Sequence, residues 1–218
     1  MIVLRRQEKG SPVARFIRER SRFVYDHAGR VDTIFKKISN GTEKVLVANT
    51  YDELGRLKTK QVGNNMETQT YDYNVRGWLL GANRNYLTGA SSNKFGYDIG
   101  YDNPNSIVPP GGYIPSYNGD IGGITWRSAG DGKNRKFKYT YDAAHRMLKA
   151  EYNQFNPANN AFDIGEGLDF TTTMGDGADP ASAYDANGNI MAMMQKGFKA
   201  NTSTIIDKLT YAYLSGFQ

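Results

Sequence analysis

The chain has 218 residues and no cysteine, which excludes disulfide frameworks, thiolate metal sites and cysteine nucleophiles together. Its formal net charge of +5 is concentrated in residues 1–22, where Arg5, Arg6, Lys9, Arg15, Arg18, Arg20 and Arg22 are opposed only by Glu8 and Glu19. The remainder is balanced, so it is no basic nucleic-acid platform, and no apolar run approaches the length of about 18 residues needed for a spanning helix.

Residues 1–22 read as a basic N-terminal arm, a solvated and poorly ordered lead-in. Arginines and a proline interrupt any apolar stretch there, so no signal peptide is expected in this chain. Residues 23–218 read as one repetitive β-sheet domain. Short alternating runs, 15 Tyr and 24 Gly favour strands and turns over helices.

The repeat is clearest at "TYDELGRLKTK" (Thr50 to Lys60). Val45 to Thr50 suits a strand, and Leu57 to Val62 suits its return. Between them Asp52 can accept backbone N–H bonds in a turn. Gly55 fills the slot where a type I turn passes to a left-handed residue. Five copies stand out: "YDHAGRV" from Tyr25, "YDELGRL" from Tyr51, "YNVRGWL" from Tyr73, "YDAAHRM" from Tyr141 and "YDANGNI" from Tyr184. The second residue is Asp26, Asp52, Asn74, Asp142 or Asp185. The fifth is Gly29, Gly55, Gly77 or Gly188, with His145 in the fourth copy. Arg30, Arg56 and Arg146 occupy the sixth position in three copies. Weaker echoes begin at Tyr97, Tyr117, Phe162 and Tyr211, giving about eight to nine repeats spaced by about 23 residues. Approach strands such as "FKYTYD" place Phe137, Tyr139 and Tyr141 on one face. An Arg near a Tyr ring adds a cation–π contact.

Three stretches interrupt the array. Residues 102–116 hold four of the seven prolines, and residues 153–163 and 171–185 are polar; all three are expected as loops, where binding would concentrate. His27 and His145 lie inside turn motifs, so the repeat explains both and no catalytic residue is assigned. "DANGNI" fails as an EF-hand, because Ile190 and Lys196 stand at its sixth and twelfth positions. "GDGADP" and "GDGK" are read as ordinary turns rather than calcium loops. No metal and no cofactor is expected. Trp78 and Trp126 are the candidate glycan-contact residues, should their rings be exposed.

The pattern Tyr-Asp-x-x-Gly-Arg-Leu, with "YDELGRLKTKQVG", "YDYNVRGWL", "FTTTMGDG" and "YDANGNI", resembles the YD repeat of RHS (rearrangement hotspot) proteins, in particular the RHS-type cell-surface proteins of Bacteroidetes. The resemblance runs from Tyr25 to Gln218. It implies an all-β fold in which tandem hairpins form a curved or spiralling antiparallel sheet, part of a hollow shell that in several members encloses a toxin domain. The family's "DPxGxxDGxNxYxY"-like self-cleavage motif is absent from this sequence, so no catalytic residue is carried over. The resemblance further implies secretion or a cell-surface location, and as partners the remaining repeats or toxin domain of a larger RHS protein. The expected function is a non-enzymatic structural segment of that shell. The alternatives are a carbohydrate-binding or adhesive module that contacts cell-surface glycans through Tyr and Trp, and a hydrolase.

Overall fold

The computed structural model describes residues 2–6, 15–103, 106–109, 112–164 and 167–213; for residues 2–6, 15 and 16 it describes the backbone alone. The chain divides into two units, residues 1–72 and 73–218.

The first unit is a meander. Strands β1 (Ile2–Arg6), β2 (Arg15–Tyr25), β3 (Val31–Ile38), β4 (Lys44–Tyr51), β5 (Leu57–Val62) and β6 (Glu67–Tyr73) each pair antiparallel with the next. Strand β5 spans the return strand expected from the sequence. Half-burial alternates along β6, as period-two patterning requires. Yet among the described residues of this unit none is fully buried. It is a single layer.

The basic arm is corrected where the structure describes it. Residues 2–6 and 15–22 are strand, not a lead-in, and Arg15–Tyr25 pairs with Val31–Ile38. The charge is accommodated across strands. Arg22 Nη2 lies 2.7 Å from Glu43 Oε2, and Lys36 Nζ lies 2.8 Å from Glu19 Oε1. The remainder of the arm, residues 1 and 7–14, lies outside the described residues.

The second unit contains β7 (Leu79–Ala82), helix α1 (Arg84–Leu87), β8 (Phe95–Gly100), β9 (Gly123–Ser128), β10 (Asn134–Tyr141), β11 (Met147–Asn156), β12 (Ala161–Asp163), β13 (Thr172–Met174), helix α2 (Pro180–Ala183), β14 (Ala192–Lys199) and β15 (Thr202–Thr210). Pairing is antiparallel throughout and follows chain order, except that β11 carries both β12 and β13 on one edge. Strand β11 shows why the sequence makes this layer. Leu148, Ala150, Tyr152 and Gln154 are buried, while Lys149, Glu151 and Asn153 alternate to the other face. Leu148, Met174 and Ala183 form a small core with Tyr184, Ile190 and Met193 packed against it.

The expected loops resolve differently. Residues 153–163 form a hairpin: β11 runs to Asn156, turns, and returns as β12, with the Phe155 and Phe162 rings 5.5 Å apart edge to face. The paired aromatic side chains outweigh the turn-rich composition. Residues 171–185 hold β13 and α2, which Asp179 caps by accepting from the Ala181 N–H. In the 102–116 stretch, Ser106, Ile107 and Tyr113 pack onto the sheet through Asp98 of β8. Asp98 Oδ2 accepts from the Ser106 hydroxyl (3.1 Å) and the Ile107 N–H (3.2 Å), and Arg84 of α1 holds Oδ1 at 2.8 Å. The Tyr113 hydroxyl lies 2.7 Å from Thr125 Oγ1. Burial takes the Tyr113 phenol up to about 12, against the opposing hydrogen bonds of Ser106 and Thr125 and with the Asp98 carboxylate adding to the rise.

Glycine makes room for that ring. Gly100 and Gly123 are directly paired across β8 and β9, and a Cβ on either would meet the Tyr113 ring at 1.9 or 2.2 Å. Gly123→Ala is therefore expected to cost about 1–3 kcal/mol by overpacking and to loosen the 102–116 segment. Urea denaturation with limited proteolysis checks this: the variant should be cut in that segment first, and wild-type stability and cutting would refute it.

Candidate functional site

The five strong copies build the same turn. In the second copy, the Asp52 N–H donates to the Arg56 carbonyl at 2.9 Å and the Gly55 N–H to the Asp52 carbonyl at 2.9 Å. Asp52 Oδ1 accepts from Leu54 N–H (3.0 Å) and Arg56 N–H (2.8 Å). Equivalent pairs reach Asp26 from Ala28 and Arg30, Asn74 from Arg76 and Trp78, Asp142 from Ala144 and Arg146, and Asp185 from Asn187 and Asn189. The fifth position is left-handed every time: φ is +77° at Gly29, +80° at Gly55, +82° at Gly77, +61° at His145 and +83° at Gly188. The acceptor oxygen needs only an Asx side chain, which is why Asn74 serves.

The Asp carries a second duty. Its other oxygen takes the sixth-position Arg: Arg30 Nε to Asp26, Arg56 Nε to Asp52 and Arg146 Nε to Asp142, each at 2.7 Å. In the fifth copy Asn189 Nδ2 donates to Asp185 at 2.8 Å instead. In the third copy the sixth residue is Trp78, and the second residue is Asn74 rather than Asp. The carboxylate appears where an Arg or Asn side chain four residues on donates to it.

The tyrosines and arginines join successive hairpins. The Tyr51 hydroxyl donates to the carbonyl of Val31, the seventh position of the preceding copy, at 2.8 Å. Tyr184 does the same to Met147 at 2.5 Å, and Tyr213 to Ile190 at 2.9 Å. Tyr141 donates to the Ile121 carbonyl at 3.0 Å. The guanidinium of one copy lies over the tyrosine ring of the next: Arg30 is 4.3 Å from the Tyr51 centroid, and Arg146 is 4.5 Å from that of Tyr184. Asp, Arg and the following Tyr thus form a clasp from turn to turn. Sequence reading found the residues but missed the clasp, because the partner tyrosine lies a whole repeat away. Tyr25, at the start of the first copy, is more than half exposed.

The echoes diverge. Tyr97 and Asp98 lie inside β8 and make no turn, and Phe162 lies in β12. In the last echo Tyr213, not Tyr211, reaches the preceding copy. At Tyr117 a partial turn survives, with Asn118 Oδ1 accepting from the Asp120 N–H at 3.1 Å. His145 reaches that turn: its Nδ1 is 2.9 Å from Asp120 Oδ2. This link between hairpins is a use of His145 that its glycine-like position did not reveal.

Glycine positions separate strain from contact. A Cβ on Gly29 meets nothing within 4 Å, whereas one on Gly55 meets Arg30 Nη1 at 2.8 Å. Gly29→Ala is expected to cost about 1–2 kcal/mol from backbone strain alone. Gly55→Ala should cost more, since it also displaces Arg30 from Tyr51. Equal losses in urea denaturation of the whole chain would contradict the clasp in that copy.

The turn carboxylates are held below the usual range. For Asp26 the main cause is the Arg30 N–H, and for Asp185 it is the Asn189 amide. For Asp52 and Asp142, burial pushes upward but is outweighed by the N–H and guanidinium of Arg56 and Arg146. A carboxyl with a lower pKa folded than unfolded binds more protons when unfolded. Its stabilisation is present above the unfolded value and is lost as pH falls through the folded one. Urea midpoints should therefore drop below about pH 4, and Asp142→Asn should flatten the drop while keeping the turn's backbone bonds. An unchanged pH profile in that variant would contradict this.

The candidate glycan residues are engaged internally. The Trp126 ring stacks 5.4 Å from Phe137, and Trp78 lies 5.1 Å from Tyr101 with Arg76 5.0 Å above it. The carboxylates of the glycine turns are also occupied. Arg135 pairs with Asp131 and, as the main cause, takes it down to about 2. Asp176 Oδ1 accepts from the Ala178 and Asp179 N–H groups at 2.8 Å. Among the described residues no three His, Asp or Glu side chains gather as a metal site, and no helix is long and apolar enough to cross a membrane.

No family model and no curated protein matches the sequence. Among solved structures, TcdB2-TccC3 without its hypervariable C-terminal region is similar over 86% of this chain and 9% of that one, with a TM-score of 0.52 at 16% identity. The Photorhabdus luminescens Tc holotoxin pore with a TccC3 mutation aligns over 90% of this chain and 12% of that chain, with a TM-score of 0.39 at 14% identity. This chain spans only a small part of either. The likeness to the first, together with the repeated Tyr-Asp turns, gives the chain an RHS-type fold of antiparallel hairpins.

Proposed function

We infer that this chain is a non-catalytic structural segment in the wall of a larger, secreted RHS-type protein, and that the wall encloses a toxin. The observation that carries the reading is the clasp. The residues that define the repeat spend their hydrogen-bonding groups on their own turn and on the neighbouring hairpin, as Asp142, Arg146 and Tyr184 do. Such a set stiffens a wall and leaves no poised acid, base or nucleophile at the repeat positions. Adhesion through Trp78 and Trp126 is less well supported, since both rings already pack against neighbours.

Electron microscopy of the full polypeptide encoded at the locus, combined with limited proteolysis, tests the wall. The expected result is a closed shell that incorporates these hairpins and shields another part of the polypeptide from protease. Hairpins projecting from an open assembly, with every other segment protease-sensitive, would overturn it.

A further inference from the structure

The sheet of the second unit forks at β11. Strand β12 pairs with Gln154–Asn156, and β13 pairs on the same edge with Lys149 and Ala150. Between them, on that edge alone, no strand partner meets residues 151–153 among the described residues; their other edge pairs with β10. At the fork the Tyr152 N–H donates to the Thr171 side chain at 3.1 Å, in place of a ladder carbonyl. The fork opens into a groove of about 540 Å³, the size of a small-molecule site.

The floor is charged in opposite pairs. Lys149 and Glu151 are 3.6 Å apart and partly exposed, a loose pair that a ligand can separate. Lys196 holds the nearly buried Asp169 at 2.8 Å, and its ammonium has two further N–H donors. Asp169 sits below the usual range: burial pushes it up, but Lys196 and Thr171 outweigh that. Beside them Thr173 is only 8% exposed, and its hydroxyl has no partner among the described residues. Thr173 lines the groove, where an outside partner can meet its hydroxyl.

We propose that this groove binds a small zwitterion, an α-amino acid with a cationic side chain. The ligand's carboxylate takes Lys149, its ammonium takes Glu151, and Thr173 supplies a further hydrogen bond. The lining holds more carboxylates than ammonium groups, with Asp163 and Asp176 joining Glu151 and Asp169, so a second positive charge on the ligand is favoured. Met194 and Phe162 also line the groove and pack the aliphatic stem. A sugar fits less well: of the aromatic residues that line the groove among those described, Tyr152 is buried and Phe162 already has Lys136 4.4 Å from its centroid. A bare metal ion is disfavoured by the lack of a three-ligand cluster among the described residues.

Calorimetric titration of the whole chain with L-lysine, L-arginine, L-alanine and L-glutamate tests this, alongside neutral oligosaccharides. The expected order is basic first, alanine weaker and glutamate weakest. Lys149→Ala, Glu151→Gln and Thr173→Val should each weaken L-lysine binding about tenfold. Lys149→Ala should not weaken binding of L-lysine methyl ester, since the ester lacks the carboxylate and its ammonium no longer competes with Lys149 for Glu151. Circular dichroism establishes that each variant is folded; the first two sites are partly exposed, and valine matches threonine in shape. Absence of amino-acid binding up to about 10 mM, binding of saccharides instead, or affinities indifferent to all three substitutions would each overturn the proposal. None of these outcomes bears on the wall reading, which requires no ligand.

Discussion

Asp98→Ala will destabilise the second unit by about 3–5 kcal/mol, the range for breaking a buried ion pair from one side. Asp98 is 2% exposed and gathers partners from two places in the chain: Arg84 of α1, and Ser106 and Ile107 of the proline-rich segment. Removing the carboxylate takes a hydrogen-bond acceptor from a guanidinium, a hydroxyl and an N–H at once. Asp98→Asn keeps one acceptor oxygen and the shape, and should fall between alanine and wild type. Urea denaturation of the whole chain measures both. A loss below about 0.5 kcal/mol for alanine, typical of a surface change, would show that this hub does not hold the segment down.

Residues 1–72 expressed alone will not unfold cooperatively, whereas residues 73–218 will. The two units have the same strand chemistry but differ in layering. The first has no fully buried residue among those described, while the second buries Leu87 and Ala183 of its short helices, Tyr113 of the 102–116 segment, and Leu148 and Tyr152 of β11. A sheet without a covered apolar face has little to set against the entropy of ordering its backbone. Circular dichroism in a urea titration should give a sloping line for residues 1–72 and a sigmoid for residues 73–218. Within the whole chain, amides of β3 to β5 should exchange faster than those of β9 to β11. A sigmoid for the first fragment would contradict this.

The turn chemistry was legible because it is local. Within the motif, the Asp or Asn side chain and the left-handed residue three positions on close the turn through contacts inside a few residues, and all five strong copies fold this way. Strand β11 was only partly legible. Its alternation is plain from Met147 to Gln154, but asparagines around Phe155 suggested a loop where a hairpin forms. The echoes at Tyr97 and Phe162 looked like turns because a Tyr-Asp or Phe-Asp pair also suits the inside or end of a strand. What could not be read was reach across repeats: the Arg146 guanidinium on the Tyr184 ring, His145 on Asp120, and the Asp98 hub. Each depends on a partner 8 to 38 residues away, which register alone brings close. The basic arm was misread for the same reason, since Glu43 balances Arg22 from a different hairpin.

A double-mutant cycle on Arg146→Ala and Tyr184→Leu measures directly whether successive hairpins are tied through their motif side chains. These groups stand 4.5 Å apart in adjacent copies of the motif. If the clasp couples them, the two losses will be non-additive by about 0.5–1 kcal/mol. Losses that add to within about 0.3 kcal/mol would mean that each motif only shapes its own bend, and the clasp account would be wrong.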